Sequence, residues 1–326
     1  MRILVTGGAG YIGAVAATLL IEKGYQVTVL DDVTTGHLEN IPESARFVRG
    51  SLLDEGKVRK ALEDCTAVLH FAGKSLVGES VENPELYQDV NVNGSNNLLV
   101  QMRVANVKKL IFSSSAATYG EVDVNPISET TKANPTNPYG STKLQIEDLI
   151  SKEAVKHGLS AVSLRYFNVA GALKTKSGWL AERHDPETHL IPNILQSSEE
   201  NPVQVFGTDW PTPDGTCIRD FVHVIDLVEA HLLALLSLKN PGHKIYNLGS
   251  GTGYSVKEVI AASDKATGKS IPFISAERRS GDPAILVSDI TKAKKELGWE
   301  PLLRLEKMVE DAYASKKDLR NNRSIS

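Results

Sequence analysis

Seven residues near the N-terminus constrain this chain more than any others. Gly7-Gly8-Ala9-Gly10-Tyr11-Ile12-Gly13 follows an apolar run at 3–6 that reads as a buried strand. It opens a stretch at 11–23 with helical character, stopped by Gly24. The segment satisfies both GxGxxG, counted from Gly8, and GxxGxxG, counted from Gly7. Between a strand and a helix, the early glycines permit a tight turn and close backbone approach to a pyrophosphate. Gly13 permits close packing of helix on strand. The helix N-terminus then offers free N–H groups and a favourable dipole to an anion. Asp31 ends a second apolar run at 27–30, about 20 residues on, the separation expected of a ribose-hydroxyl acceptor. Asp32 follows, and a 2′-phosphate would be repelled there, so NAD is expected rather than NADP. The alternative, a glycine turn without a ligand, lacks a reason for this strand–turn–helix–acid context.

The first half continues to alternate short apolar runs with helical stretches. Further strands are expected at 47–48, 68–71, 110–113 and 161–166, and helices within 84–107 and over 139–157. A Pro/Asn-rich loop fills 124–138. This rhythm predicts an α/β fold, a Rossmann-type doubly wound parallel sheet with helices on both faces. After Gly171 the rhythm weakens. Loops at 172–192 and 207–215 precede helical stretches at 224–238 and 255–266, the latter opening with Ser255 and Glu258 at capping-box spacing. The expected organisation is an NAD-binding domain over 1–170, onto which parts of 215–250 pack back, and a smaller α/β substrate domain over 171–326. The charged tail at 316–323 is expected to be solvated.

Composition narrows the function classes. The 326 residues carry a net charge of −4, which gives no reason to expect nucleic acid or an anionic membrane as partner. No apolar run approaches the roughly 20 residues needed to span a bilayer. The apolar start is broken at once by Gly7 and Gly8, so it reads as a strand and not as a signal peptide. Cys65 and Cys217 stand far apart, so neither a disulfide framework nor a metal site is expected, and the cytoplasm is the expected compartment.

Tyr139-Gly140-Ser141-Thr142-Lys143 sets Tyr and Lys four residues apart at a helix start, on one face and one turn apart. An ammonium near a phenol stabilises the phenolate, so Tyr139 is the candidate base. Lys143 is also placed to bond a nicotinamide ribose. Ser113-Ser114-Ser115 ends a predicted strand, where ligands bind in such sheets, and a serine there can share a substrate proton. The plainer reading of the serine run is a strand-end turn with capping roles. His70 reads as a packed residue, His157 as a helix C-terminal residue suited to the dipole, and Tyr166 as either a cofactor neighbour or a core aromatic.

Taken together, residues 6–13, His70-Phe71-Ala72-Gly73, Asn91-Val92-Asn93-Gly94, the serine run, Tyr139 to Lys143 and Arg165-Tyr166-Phe167-Asn168 resemble the extended short-chain dehydrogenase/reductase family. Three runs narrow the resemblance to the UDP-glucose 4-epimerases: Phe206-Gly207-Thr208-Asp209-Trp210-Pro211-Thr212, Asp214-Gly215-Thr216-Cys217-Ile218-Arg219-Asp220 and Arg278-Arg279-Ser280-Gly281-Asp282. The resemblance implies an isomerase of galactose metabolism. It would interconvert UDP-galactose and UDP-glucose through a 4-keto sugar, with retained NAD and as a homodimer formed through the helices beginning near Pro84 and Tyr139. It implies catalysis by Tyr139, Lys143 and Ser115. It implies cofactor contacts from Gly7, Gly10, Tyr11, Ile12, Gly13, Asp31, Ser51, Leu52, Phe71, Ala72, Gly73, Lys74, Asn91, Ser113, Tyr139, Lys143 and Tyr166. Substrate contacts would come from Ser115, Tyr139, Asn168, His189, Leu190, Gln204, Val205, Phe206, Arg219, Arg279 and Asp282. Paired arginines suit a diphosphate, which takes charge-assisted donors; taken singly, each would more often be a surface ion pair.

This sequence departs from the family pattern at several points. Ser51 replaces an adenine-contacting Asp, Lys74 precedes by one the usual phosphate-contacting Lys position, now Ser75, and His189 replaces an Asn. Leu286 occupies the position that gates the sugar 2-substituent, so N-acetylated and pentose UDP-sugars stay open as substrates. A 4,6-dehydratase is disfavoured because Ala116 and Ala117, not an acidic pair, follow Ser115. A non-catalytic NAD sensor is disfavoured because Ser115, Tyr139 and Lys143 are all present.

Overall fold

Seven parallel strands form the central sheet of the protein. The structure, a computed structural model, describes residues 1–279 and 282–323, the last five by backbone alone; Ser280 and Gly281 of the arginine-containing run lie outside the described residues. Strands β1 (Arg2–Thr6), β2 (Gln26–Asp31), β3 (Arg46–Arg49), β4 (Cys65–His70), β5 (Lys109–Ser115) and β6 (Ser160–Tyr166) are joined by the strand Gly242–Leu248. Their order is β3-β2-β1-β4-β5-β6, with Gly242–Leu248 beyond β6. Along β1, Ile3 and Val5 enter one core and Leu4 the other, because successive side chains face opposite sides of a sheet that is buried on both. The first core includes Ala14 and Leu20 of the helix Tyr11–Glu22 and Leu227 of the helix Val224–Ser237. The second includes Val58, Leu98, Ile146 and Ile150 of the helices Glu55–Leu62, Gly94–Val104 and Pro138–His157. The predicted doubly wound sheet is present, and its order reverses between β1 and β4, the switch point where ligands bind.

Two local differences from the sequence expectation have physical causes. The helix expected within 84–107 is broken into Pro84–Tyr87, a π-helical turn Gln88–Asn93, and Gly94–Val104. A π turn carries an extra residue, a distortion that helices mostly keep at functional sites. The strand Gly242–Leu248 carries no clear apolar alternation in the sequence, because its first half holds exposed Gly242 and Lys244 and a half-buried His243 at the sheet edge. The second half adds short strand pairs, Val203–Phe206 with Phe273–Ala276 and Ile218–Arg219 with both Tyr254–Ser255 and Ile285–Leu286. Ile191, Ile194, Val259, Met308 and their neighbours form its own core. The expected capping box of Ser255 and Glu258 starts the helix Val256–Thr267. No helix among the described residues is long and apolar enough to cross a membrane.

Candidate active site

The glycine loop is shaped by close contacts that admit no side chain. Gly7 adopts φ +72°, and a Cβ there would lie 2.6 Å from the Ala72 backbone nitrogen. A Cβ on Gly13 would lie 2.1 Å from the Gly7 carbonyl oxygen. The helix Tyr11–Glu22 begins after Gly10 with no side-chain cap, so its first N–H groups face outward for an anion. Asp31 accepts from Ala9 N at 3.0 Å and Val33 N at 2.8 Å, which ties the end of β2 to the loop and leaves lone pairs on both oxygens. Burial pushes its carboxyl above the ordinary value, against those two bonds. These features fit NAD: Gly7, Gly10 and Gly13 clear the path for a pyrophosphate, Tyr11 and Ile12 begin the helix that meets it, and Asp31 stands where a ribose diol would reach. The Tyr11 hydroxyl donates to Gly171 O at 2.6 Å.

Other predicted cofactor residues surround the carboxyl ends of β1, β4 and β5. Phe71 leans on His231, ring centroids 4.9 Å apart, and the buried Tyr166 hydroxyl also meets His231. Ser51 accepts from Leu53 N at 3.2 Å, and Leu52 is buried beneath Gly94. Two of the predicted contact residues have partners within the protein. Asn91 is buried, and its amide hydrogens are committed to Lys74 O at 3.1 Å and Thr142 Oγ1 at 3.2 Å while its oxygen accepts from Lys74 N. It therefore braces the Gly73–Lys74 loop against the Pro138–His157 helix, with no hydrogen left to donate to a cofactor. Lys74 Nζ is paired with Glu79 at 2.9 Å, so its charge is already partnered. His70 is buried between Thr6 and Ser95, as expected of a packed histidine, and burial takes it down to about 3.

Ser115, Tyr139 and Lys143 converge as expected. Asn137 caps the Pro138–His157 helix by accepting from Gly140 N at 2.9 Å, with Pro138 in its first turn and Gly158, φ +71°, ending it after His157. Gly140 lies so close to the turn after Ser115 that a Cβ would come 2.3 Å from Ala117 O. Ser115 Oγ accepts from Ala117 N at 3.1 Å, and the hydroxyl lies near enough to the Tyr139 phenol to favour phenolate. Lys143 is buried, and its Nζ donates to Ser113 O at 2.9 Å and lies 5.7 Å from the Tyr139 ring centre. The expected lowering of the tyrosine does not follow from these protein groups alone. Burial pushes Tyr139 above its ordinary value, only partly offset by Ser115, and takes Lys143 down to about 8, partly offset by Glu147.

Glu147 is the residue sequence reasoning missed. It follows Lys143 by four, on the same helix face, and is 3% exposed. It takes Ser114 Oγ at 2.6 Å and both ends of Arg165 at 3.0 and 2.6 Å. The helix, the serine strand and β6 are thereby locked together. The Tyr-x3-Lys-x3-Glu spacing was the available signal.

A cavity of about 930 Å³ lies on the second-half side. Asn168, His189, Leu190, Gln204, Phe206, Arg219, Arg279 and Asp282 all line it; Ser115, Tyr139 and Lys143 do not. Arg279 lies over the Phe206 ring, 3.8 Å from its centre. Arg219 is paired with Asp282 at 3.3 Å and donates to Pro283 O, so it stands prepositioned at the cavity wall. Asn168 donates to Asp220 O from both its backbone and its side chain. Val205 is 1% exposed, its side chain in the core with Val203, so it meets the cavity side through its backbone alone. The Val203–Phe206 alternation puts Gln204 outward and Val205 inward.

A parallel sheet that turns at a glycine loop, with a Ser–Tyr–Lys cluster beside it, defines a nucleotide-dependent short-chain dehydrogenase fold. The chain belongs to the NAD dependent epimerase/dehydratase family, whose model matches residues 3–249. It is 50% identical to the UDP-glucose 4-epimerase of Corynebacterium glutamicum over 317 residues, covering 96% of this chain and 95% of that one. It superposes with a TM-score of 0.91 and 42% identity on UDP-glucose 4-epimerase from Brucella ovis in complex with NAD, over 96% and 97% of the two chains. For the enzyme from Bifidobacterium longum in complex with NAD+ and UDP, the TM-score is 0.89 and the identity 36%, over 98% and 99%.

Proposed function

We infer that the chain is an NAD-dependent isomerase that interconverts UDP-galactose and UDP-glucose by inversion at sugar C4. The observation that carries this reading is the convergence of Ser115, Tyr139 and Lys143 beside an open glycine-loop helix N-terminus. Relatives of the same name, matched over nearly their whole length, support it. NAD, when bound, supplies the site that accepts and returns the C4 hydride. Tyr139 takes the O4 proton as the 4-keto sugar forms, and returns it once the sugar, held between the cavity and the Ser115–Tyr139–Lys143 cluster, has turned over. Ser115, whose oxygen accepts from Ala117 N–H, has its own hydrogen to give to the phenolate or the substrate oxygen. Lys143 holds positive charge next to both. Arg219 and Arg279 supply charge-assisted donors to the diphosphate, and Asn168, Leu190, Gln204 and Phe206 shape the nucleotide end of the cavity.

The finer assignments belong to the same proposal. The N-terminal 170 residues hold NAD and the remainder holds the UDP-sugar. The chain works in the cytoplasm, in keeping with two buried free cysteines. It pairs with a second copy through the helices near Pro84 and Tyr139; exposed Val77, Val81 and Leu86 around Pro84 support that face. Leu286, packed with Ala116, Tyr119 and Phe167 beside the Ser115 turn, is the residue to limit a 2-substituent. The deciding experiment mixes purified chain with UDP-galactose and no added NAD. UDP-glucose should appear. No product, with NAD added or not, overturns the reading. Repeating the assay with UDP-N-acetylgalactosamine measures the gate at Leu286.

A further inference from the structure

A second cluster of chemistry lies on the 182–189 loop, which fronts the cavity and leads into the helix Leu190–Gln196. Glu182, His184, Glu187 and His189 each place one donor atom within 4.8 Å of every other. His184 Nδ1 and His189 Nδ1 both lie near the same oxygen, Glu182 Oε1, at 3.1 and 2.9 Å, and His189 Nδ1 also lies 3.1 Å from Glu187 Oε1. We propose that these four side chains form a binding site for one divalent transition-metal ion, with zinc the best fit, that pins this loop against the nucleotide cavity.

Three observations carry the assignment. The first is the donor set: two imidazoles with two carboxylates suit zinc, whereas magnesium and calcium prefer oxygen alone. Four protein ligands also match a closed, structural site with no position left open for catalysis. The second is geometry. A tetrahedral ion with bonds of roughly 2.0–2.2 Å holds its ligand atoms about 3.4 Å apart. Three of the six separations, 2.9–3.1 Å, fall just inside that edge, and all six lie within 4.8 Å, so small side-chain rotations are enough to seat an ion. The third is an orphaned atom. His184 Nδ1 is buried without a properly directed hydrogen bond, although Glu182 lies near it. A buried polar atom in that condition needs a partner, and a cation is one. The carboxylates are almost fully buried, with side chains 9% and 8% exposed, and the groups nearest their oxygens are the imidazoles of His184 and His189, so the four donors already converge on one small volume. Glu187 is further held by Thr188 N and His189 N at 2.8 and 2.9 Å, the kind of outer bonding that orients a metal ligand. All four ligands come from eight consecutive residues, so little extra chain must be ordered to bind.

The test uses the intact chain, stripped with EDTA, exchanged into metal-free buffer and titrated with zinc chloride by calorimetry. One ion per chain is expected. His184→Ala and Glu182→Gln should each weaken binding at least about tenfold, the scale on which even outer partners of a metal act. Cobalt(II) binding to the unaltered chain gives a second measurement that no unstable variant can obscure. A four-coordinate visible spectrum without sulfur charge-transfer bands is expected. No stoichiometric uptake, uptake unchanged in His184→Ala, or a sulfur signature from Cys65 or Cys217 would each overturn the site. None of these results depends on epimerase turnover, so the two readings fail separately.

Discussion

Tyr139 carries its chemistry in surroundings that favour the neutral phenol. Burial raises its proton affinity and only Ser115 opposes this, so the protein prepares the base without ionising it prematurely. Tyr139→Phe removes the proton carrier with almost no change of shape. Turnover of UDP-galactose should fall by about 100-fold or more, the usual scale of general acid–base catalysis, while the melting temperature stays unchanged. Unaltered turnover in Tyr139→Phe would exclude the phenol from the chemistry. Lys143 shows the opposite trade. Burial lowers its value from 10.5 to about 8, so the folded chain gives up that proton earlier than the unfolded chain does. Between about pH 8 and 10.5 the unfolded state binds more protons, and stability therefore rises with pH across that window. Below it, the buried charge is a full stability cost. Lys143→Met, similar in volume and uncharged, should melt higher than the parent at pH 7, with the gap closing toward pH 10.5, and should be nearly inactive. Calorimetric melting across that range checks the sign; a variant less stable at pH 7 would show that the bond to Ser113 O outweighs the burial of charge.

At the scale of elements, the Pro138–His157 helix works because it is pressed and locked into place. Gly140 sets how near it can come to the turn after Ser115. Its φ is not what requires glycine; the 2.3 Å approach to Ala117 O is. Gly140→Ala must move either helix or turn, and a displacement near 1 Å at reacting groups costs on the order of 100-fold in rate. The expected outcome is a large loss in kcat with little change in KM, read from initial rates. Further along, Glu147 joins the helix to Ser114 and Arg165. Glu147→Ala leaves a guanidinium buried without its partner, stacked over Tyr119 at 4.6 Å. Destabilisation of about 3–5 kcal/mol is expected from urea unfolding. A change below 1 kcal/mol would mean that water or Tyr119 replaces the carboxylate. The π turn Gln88–Asn93 completes this arrangement, since Asn91 within it ties the Gly73–Lys74 loop to Thr142.

For the molecule as a whole, the cleft depends on ties between its two halves. Arg183, from the loop beside the cavity, donates to Asn40 Oδ1 at 2.7 Å and pairs with Glu39 at 3.1 Å. Asn40 in turn donates to Ala9 O in the glycine loop at 3.0 Å. A residue of the second half thus supports the loop that faces the cofactor. Asp220, fully buried, gathers Ser250, Gly251 and Ser288 through backbone and hydroxyl hydrogens, and its carbonyl accepts from Asn168 of the first half. Association of two copies through the Pro84 face should give a sedimentation coefficient of a dimer. Val81→Glu, which puts a charge at a residue 63% exposed in the single chain, should return it to monomer while secondary structure is retained. A monomer without the substitution would remove that face as an interface.

The sequence alone determined the sheet type, the cofactor loop and the proton pair, because each rests on local rules. A glycine is demanded by its own turn, a helix brings residues four apart to one face, and strand–helix alternation implies parallel crossovers. Contacts between segments distant in the chain were decided by tertiary structure. Asn91 spends its amide on Lys74 and Thr142, Val205 turns into the core, Arg219 meets Asp282, and Glu147 reaches Arg165 of β6. No periodicity encodes these pairings. They follow from which faces meet once both cores have closed, and only then do neighbouring charges and burial set the proton affinities on which the chemistry turns.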